Sequence, residues 1–197
     1  MIKYLSSLAS FTLIAIAFSA FTFLPAKPWK VDKAHSAVTF SINHLFTPVE
    51  GRFDQFDGRF VFDPENLSES EADFTIKVSS VNTQQQKRDT HLQSADFFNA
   101  AEYPEMRFQS TRFKKKKGEY VVYGNLTIRD VTKEIALPFK VLGVGPHPMM
   151  EGAQVMGIQA ETTLLRSDFG VGTGSWAATM VVGDEVSVKI NLEATTK

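Results

Sequence analysis

Between positions 88 and 91 the chain gathers Arg88, Asp89 and His91, and it follows them with Asp96 and the aromatic pair Phe97-Phe98. A carboxylate beside an imidazole and a guanidinium can polarise a proton, hold an anion or form an ion pair out of water. A second charged group stands at Arg166 and Asp168. Two readings fit these residues. They are a polarised pair inside a site, or they form a buried ionic tie that fixes a loop to its scaffold, with Arg166 and Asp168 as partners of the first cluster. The four histidines, His35, His44, His91 and His147, show neither His-x-His nor His-Glu-x-x-His spacing. A metal site using them therefore requires separate strands to converge. Cysteine is absent, which removes thiolate catalysis, disulfides, Cys-ligated zinc and the acylated cysteine of a bacterial lipoprotein. There is no Gly-x-Ser-x-Gly elbow and no phosphate loop.

The stretch 81–98 that carries the first cluster interrupts a chain that otherwise alternates apolar and polar residues. Val38, Phe40 and Ile42 share one parity, which reads as a strand with one buried face. Phe53, Phe56, Phe60 and Phe62 follow, and their parity slips in the vicinity of Gly58, where a bulge or bend is expected. Ala72, Phe74, Ile76 and Val78 alternate again, as do Met106, Phe108 and Ser110. Lys114 to Lys117 with Gly118 read as a solvated hairpin tip. Strands are further expected over 120–128, over 134–142 with Pro138 at an edge or bulge, over 155–164 and over 185–193. This amounts to about eight strands at hairpin spacing, with no long amphipathic helix, so the fold is all-β and closes as a barrel or stacks as a sandwich. Ser94 and Asp96 suit a short helical turn within the charged insert. That insert is either a lid over a cavity or a plain connection whose Phe97 and Phe98 fill core.

The chain has 197 residues, 43% of them apolar, which suffices for one domain with a core. A formal charge of −1 lacks the basic excess of a nucleic-acid binder, so no nucleic acid is expected. Phenylalanine is abundant, 17 in all, and four of these (Phe11, Phe18, Phe21 and Phe23) belong to the N-terminal run. The rest fill a tight core or line a greasy hole, which composition does not separate. Residues 8–24 are apolar with small residues, the pattern of a secretory signal peptide. Cleavage after Ser19 or Ala26 is expected, with an uncleaved anchor as the alternative, and a domain over 27–197 delivered to the periplasm or beyond.

Taken in order, the motifs become specific: Trp29-Lys-Val-Asp-Lys-Ala-His-Ser36, Gly51-Arg-Phe53 with Phe56-Asp-Gly58, Arg88-Asp-x-His-Leu92 with Asp96-Phe-Phe98, Tyr103-Pro104, Gly124-x-Leu-Thr-Ile128 with Val131-Thr-Lys133, and Arg166-x-Asp-Phe-Gly170. The series resembles the YceI-like family of exported bacterial proteins. The resemblance implies a lipocalin-like antiparallel β-barrel, here of eight strands, whose long apolar cavity takes a polyisoprenoid or other long-chain lipid, in a family without an established catalytic activity; no cofactor and no metal are expected. Val38, Phe40, Ile42, Phe60, Phe62, Phe97 and Phe98 are then expected to line the cavity, and Arg88, Asp89, His91, Arg166 and Asp168 to form its polar rim. Transient membrane contact and a homodimer stay open as further partners. The competing reading is an exported hydrolase or metal-dependent enzyme using His35, His44 or His91. Asp130 stands where the family pattern has glycine before Val-Thr-Lys, so the turn there must accept a non-glycine.

Overall fold

A computed structural model describes residues 28–178 and 180–196; the N-terminal run and its expected cleavage site lie outside them. The alternating segments form β1 (Pro28–His44), β2 (Thr47–Phe53), β3 (Phe56–Val61), β4 (Glu71–Lys77), β5 (Val81–Asn82), β6 (Glu105–Lys116), β7 (Glu119–Ile128), β8 (Val131–Pro146), β9 (Gln154–Leu165) and β10 (Val182–Thr195). One helix, α1 (Gln86–Gln93), lies in the charged insert. Neighbouring strands pair antiparallel, and β10 returns to pair with β1, which closes the sheet. β2 and β3 both pair with β1, opposite its two ends, and act as one interrupted strand. With β5 only a two-residue appendage on β2, the wall is an eight-stranded closed barrel.

The interruption falls at Asp54 and Gln55, not at Gly58. There the backbone turns away from β1 and is stitched to the next turn. Asp54 N–H donates to the Ser80 carbonyl (3.0 Å), Gln55 N–H to Ser80 Oγ (3.0 Å), and Lys77 N–H to the Gln55 carbonyl (2.9 Å). Gly58 sits inside β3, where the Phe74 ring lies over it: a Cβ at Gly58 would stand 2.4 Å from Phe74. The glycine marks a close approach of ring to backbone rather than a bend. Gly51 beneath Phe40 repeats the arrangement, with the same 2.4 Å separation. A second irregularity does help the sheet curl. Between Asp32 and Ala37, β1 runs ahead of β10 by three residues, a bulge that increases local coiling.

Pro138 marks a local edge inside β8. The β8–β9 ladder begins at Phe139 opposite Ala160, and residues 131–138 and 161–165 face one another unpaired. Proline has no N–H to give, so the ladder stops beside it. The Lys133–Asp168 ion pair (2.8 Å) spans the gap near its outer end.

Two apolar clusters fill the two ends of the barrel. One, around Phe60, Phe62, Phe113, Phe139, Met156 and Ile158, closes the end where β1 starts. The other, around Val38, Phe53, Val81, Phe97, Phe169 and Val171, packs the insert onto the opposite end. The turn at Arg129 and Asp130 holds a left-handed residue, but it is Arg129 (φ 55°), not Asp130. Its guanidinium reaches the insert, donating to the carbonyls of Phe97 (2.8 Å) and Gly170 (2.6 Å).

Candidate ligand cavity

Between the two clusters lies a cavity of about 650 Å³. Its walls are the inward parity of the strands, so the same alternation that makes the sheet makes the lining almost wholly apolar. Phe40, Phe74, Phe108, Ile135, Val188 and Ile190 face it, and Thr162 is a rare polar wall residue. The floor is aromatic. Phe62 meets the rings of Tyr120 (5.1 Å), Phe139 (5.4 Å) and Phe113 (6.1 Å), and Trp29 Nε1 donates to its carbonyl (3.1 Å).

Val38, Phe40, Ile42 and Phe60 stand on the wall, and Phe97 and Phe98 face the cavity from the insert. Phe62 does not. It keeps the parity of Phe60 but lies past the last residue of β3, in the plug beneath the floor. Parity alone cannot see where a strand ends.

The insert forms a lid at the other end, and its helix begins earlier than the sequence suggested: Ser94 ends α1 and Asp96 lies in the following turn. Gln85 caps the helix by accepting the Arg88 N–H (2.7 Å). Asp89 is buried and points back, accepting the Thr83 N–H (2.8 Å) and hydroxyl (2.5 Å). Arg88 grips the same residue, through Thr83 Oγ1 (2.7 Å) and the Thr83 carbonyl (2.8 Å). Neither meets Arg166 or Asp168. The cluster is a local clasp around Thr83, which its short span, six residues, makes cheaper in loop entropy than a tie to a distant strand.

Arg166 is buried and bonds only to backbone carbonyls: Gly183 (2.8 Å), Trp176 (2.8 Å), Val171 and Val182 (3.0 Å each), and Gly172. Of the expected rim, Arg88, His91 and Arg166 border the cavity. Asp89 is turned into the Thr83 clasp, and Asp168 is turned outward to Lys133. His91 lies between the rings of Phe97 and Trp176, both 4.9 Å away, and meets Asp96 (3.2 Å). Thr83, Trp176 and Arg129 are lid residues that sequence reasoning missed. The glycine-rich run before Trp176 was the one available signal for the second.

His44 is on the exposed rim, His147 in a distant turn, and His35 on the outer bulge of β1. Among the described residues only Asp32, His35 and Glu193 bring three metal-type donors together, within 4.8 Å of one another and away from the cavity. Asp32 and Glu193 are directly opposed across the β1–β10 ladder, so the imidazole separates two like charges. The hydrogen bond to Asp32, then the charges of Asp32 and Glu193, raise the His35 pKa above its ordinary 6.5. The same hydrogen bond holds Asp32 below 3.8. The His35 contribution is therefore full below pH 6.5 and lost as pH rises through the raised value; the Asp32 contribution is lost as pH falls below 3.8. A His35→Gln variant should melt slightly below wild type at mildly acidic pH and match it in alkaline buffer. The gap stays small because solvent screens the pair. Melting curves across pH check this; a gap that widens with alkalinity contradicts it.

A closed antiparallel barrel with an aromatic floor, a helical lid and one apolar interior defines a lipocalin-like binding fold. The YceI-like domain family matches residues 29–194, and the chain belongs to that family. It is 37% identical over 186 residues to protein YceI of Salmonella arizonae, covering 93% of this chain and 96% of that one. Among solved structures, BcnA of Burkholderia cenocepacia superposes with a TM-score of 0.77 at 31% identity, over 84% of this chain and 99% of the other. A polyisoprenoid-binding domain from Saccharophagus degradans, implicated in plant cell wall breakdown, shares the fold at a TM-score of 0.61 and 16% identity, over 86% and 98% of the two chains.

Proposed function

We propose that this protein is an exported lipid-binding protein that holds a polyisoprenoid or other long-chain amphiphile in its barrel, as carrier or store, and that it is not an enzyme. The observation that carries the reading is the barrel interior of about 650 Å³ with almost no polar lining. A chain without hydrogen-bonding groups gains affinity there from apolar area alone, about 25 cal/mol per Å². The ligand named for the Saccharophagus degradans domain is of this kind. Of the acidic groups in the lid, Asp89 is committed to Thr83, and the interior wall itself offers almost no polar group to act on a ligand. The apolar run at 8–24 supports export, and the absence of a basic excess agrees with a ligand other than nucleic acid.

The test is mass spectrometry of an organic extract of protein purified from the envelope of its host. A stoichiometric long-chain lipid is expected. An empty extract, together with no uptake of added polyprenol, would sink the reading.

A further inference from the structure

We propose that the cavity mouth carries a membrane-docking face, formed by Leu45 and Phe46 at the β1–β2 tip and Met180 and Val181 before β10, which seats the barrel on a lipid bilayer. Phe46 is 98% exposed and Met180 83%, with Leu45 and Val181 more than two-fifths exposed. Clustered at one place beside a cavity mouth, exposed apolar groups of this size form the kind of patch that is often a protein or membrane contact. The two tips form one unit, because Leu45 N–H donates to the Val181 carbonyl (2.9 Å).

The β1–β2 turn breaks its own local rules. Its two-residue link joins the paired residues His44 and Thr47, and Leu45 takes a left-handed φ of 53°. Asn, Asp or Gly is the ordinary choice there, so a Leu-Phe tip is a costly one for folding alone. Position supplies the reason. The chain neighbours of the tips, Asn43, His44 and Val182, border the cavity, and half-exposed Leu165 continues the apolar surface inward. Among the described residues, the other strongly exposed apolar side chains, Leu142, Val144 and Met149, do not border this cavity.

A bilayer fits this face better than a second copy of the chain. Two protruding tips offer a few hundred Å² at most, whereas a stable dimer buries about 1,200 Å² or more. Exposed at two adjacent turns, these side chains suit shallow entry among head groups and upper acyl chains. Lys87 stands exposed on the lid at the same mouth, where anionic head groups would meet it, and Arg88, held to Thr83 through Nε and Nη2, adds its charge there. A chain leaving the membrane at this point enters the barrel without crossing water; that passage rests on the lipid-binding reading, while docking itself does not.

The experiment is co-flotation of the protein with phosphatidylcholine–phosphatidylglycerol vesicles, every variant carrying the same N-terminus. The double variant Phe46→Ser with Met180→Ser should partition about tenfold or more weakly than wild type. Leu142→Ser should float like wild type, and all three should yield the same lipid extract. Equal flotation of the double variant and wild type overturns the proposal. So does a wild type that ignores vesicles but forms a dimer that the double variant abolishes. If flotation falls as expected while wild-type extracts are empty, docking stands and the cargo reading falls.

Discussion

Arg166→Ala should lower the thermal unfolding midpoint by about 6–20 °C. The guanidinium is buried at the lid end and donates to five backbone carbonyls drawn from 171–183. Hydrogen bonds from a charged donor are roughly twice as strong as neutral ones. Truncation strands several buried carbonyls at about 1–3 kcal/mol each, less wherever water enters. A net loss of about 3–5 kcal/mol is then reasonable, at 2–4 °C per kcal/mol in a domain of this size. Arg166→Lys should recover only part, since an ammonium cannot span the same fan of acceptors. Calorimetry on both variants decides the matter. A fall of under about 2 °C would mean that the 166–183 loop is held by its apolar contacts and not by Arg166.

The second large effect is in the cavity. Val188→Asp should leave a folded barrel whose organic extract contains no lipid. Val188 faces the lumen and is only half-buried, so a carboxylate there can hydrate in the empty protein through the mouth. With a chain in place it would be dry and unpaired, which costs several kcal/mol. Phe60, an obvious choice from the sequence, is a poorer probe. It is 5% exposed and packed against the rings of Phe62 (6.1 Å) and Phe74 (6.4 Å), so a charge there would break the floor itself. Lys115→Glu, on the β6–β7 hairpin, should retain its lipid. Extracts of both variants, quantified beside wild type with melting curves, check the pair. Folded Val188→Asp protein with a full lipid complement would place the binding site outside the barrel.

Strand parity was legible because every strand turns one face to an apolar interior; Val38, Phe40 and Ile42 could be read straight onto the wall. Strand ends were not legible. Phe62 keeps the rhythm but leaves the wall, because where a ladder stops depends on the partner strand and not on the residue. The break assigned near Gly58 fell at Asp54 and Gln55 for a related reason: the glycine answers to the Phe74 ring, which arrives from a neighbouring strand. The lid shows the same limit in its charges. Arg88 and Asp89 announce a clasp, but Thr83, an unremarkable residue in the sequence, is what they hold. The order of the motifs carried the family; the partners within them required coordinates.

The unpaired stretch of β8 and β9 has a mechanical meaning. On the floor side of Pro138 the β8–β9 seam is laddered from Phe139 opposite Ala160 to Pro146 opposite Gln154, and a laddered seam resists any change of girth. From Pro138 towards the mouth that seam is open, and the Lys133–Asp168 ion pair and the Arg129 hydrogen bond to the Gly170 carbonyl clasp it near the far end. The molecule is thus a stiff cup with a compliant collar. On the proposed lipid-binding reading, the aromatic floor would limit how far a chain reaches and the collar how thick it can be, so selection by length sharper than selection by branching is the expected result.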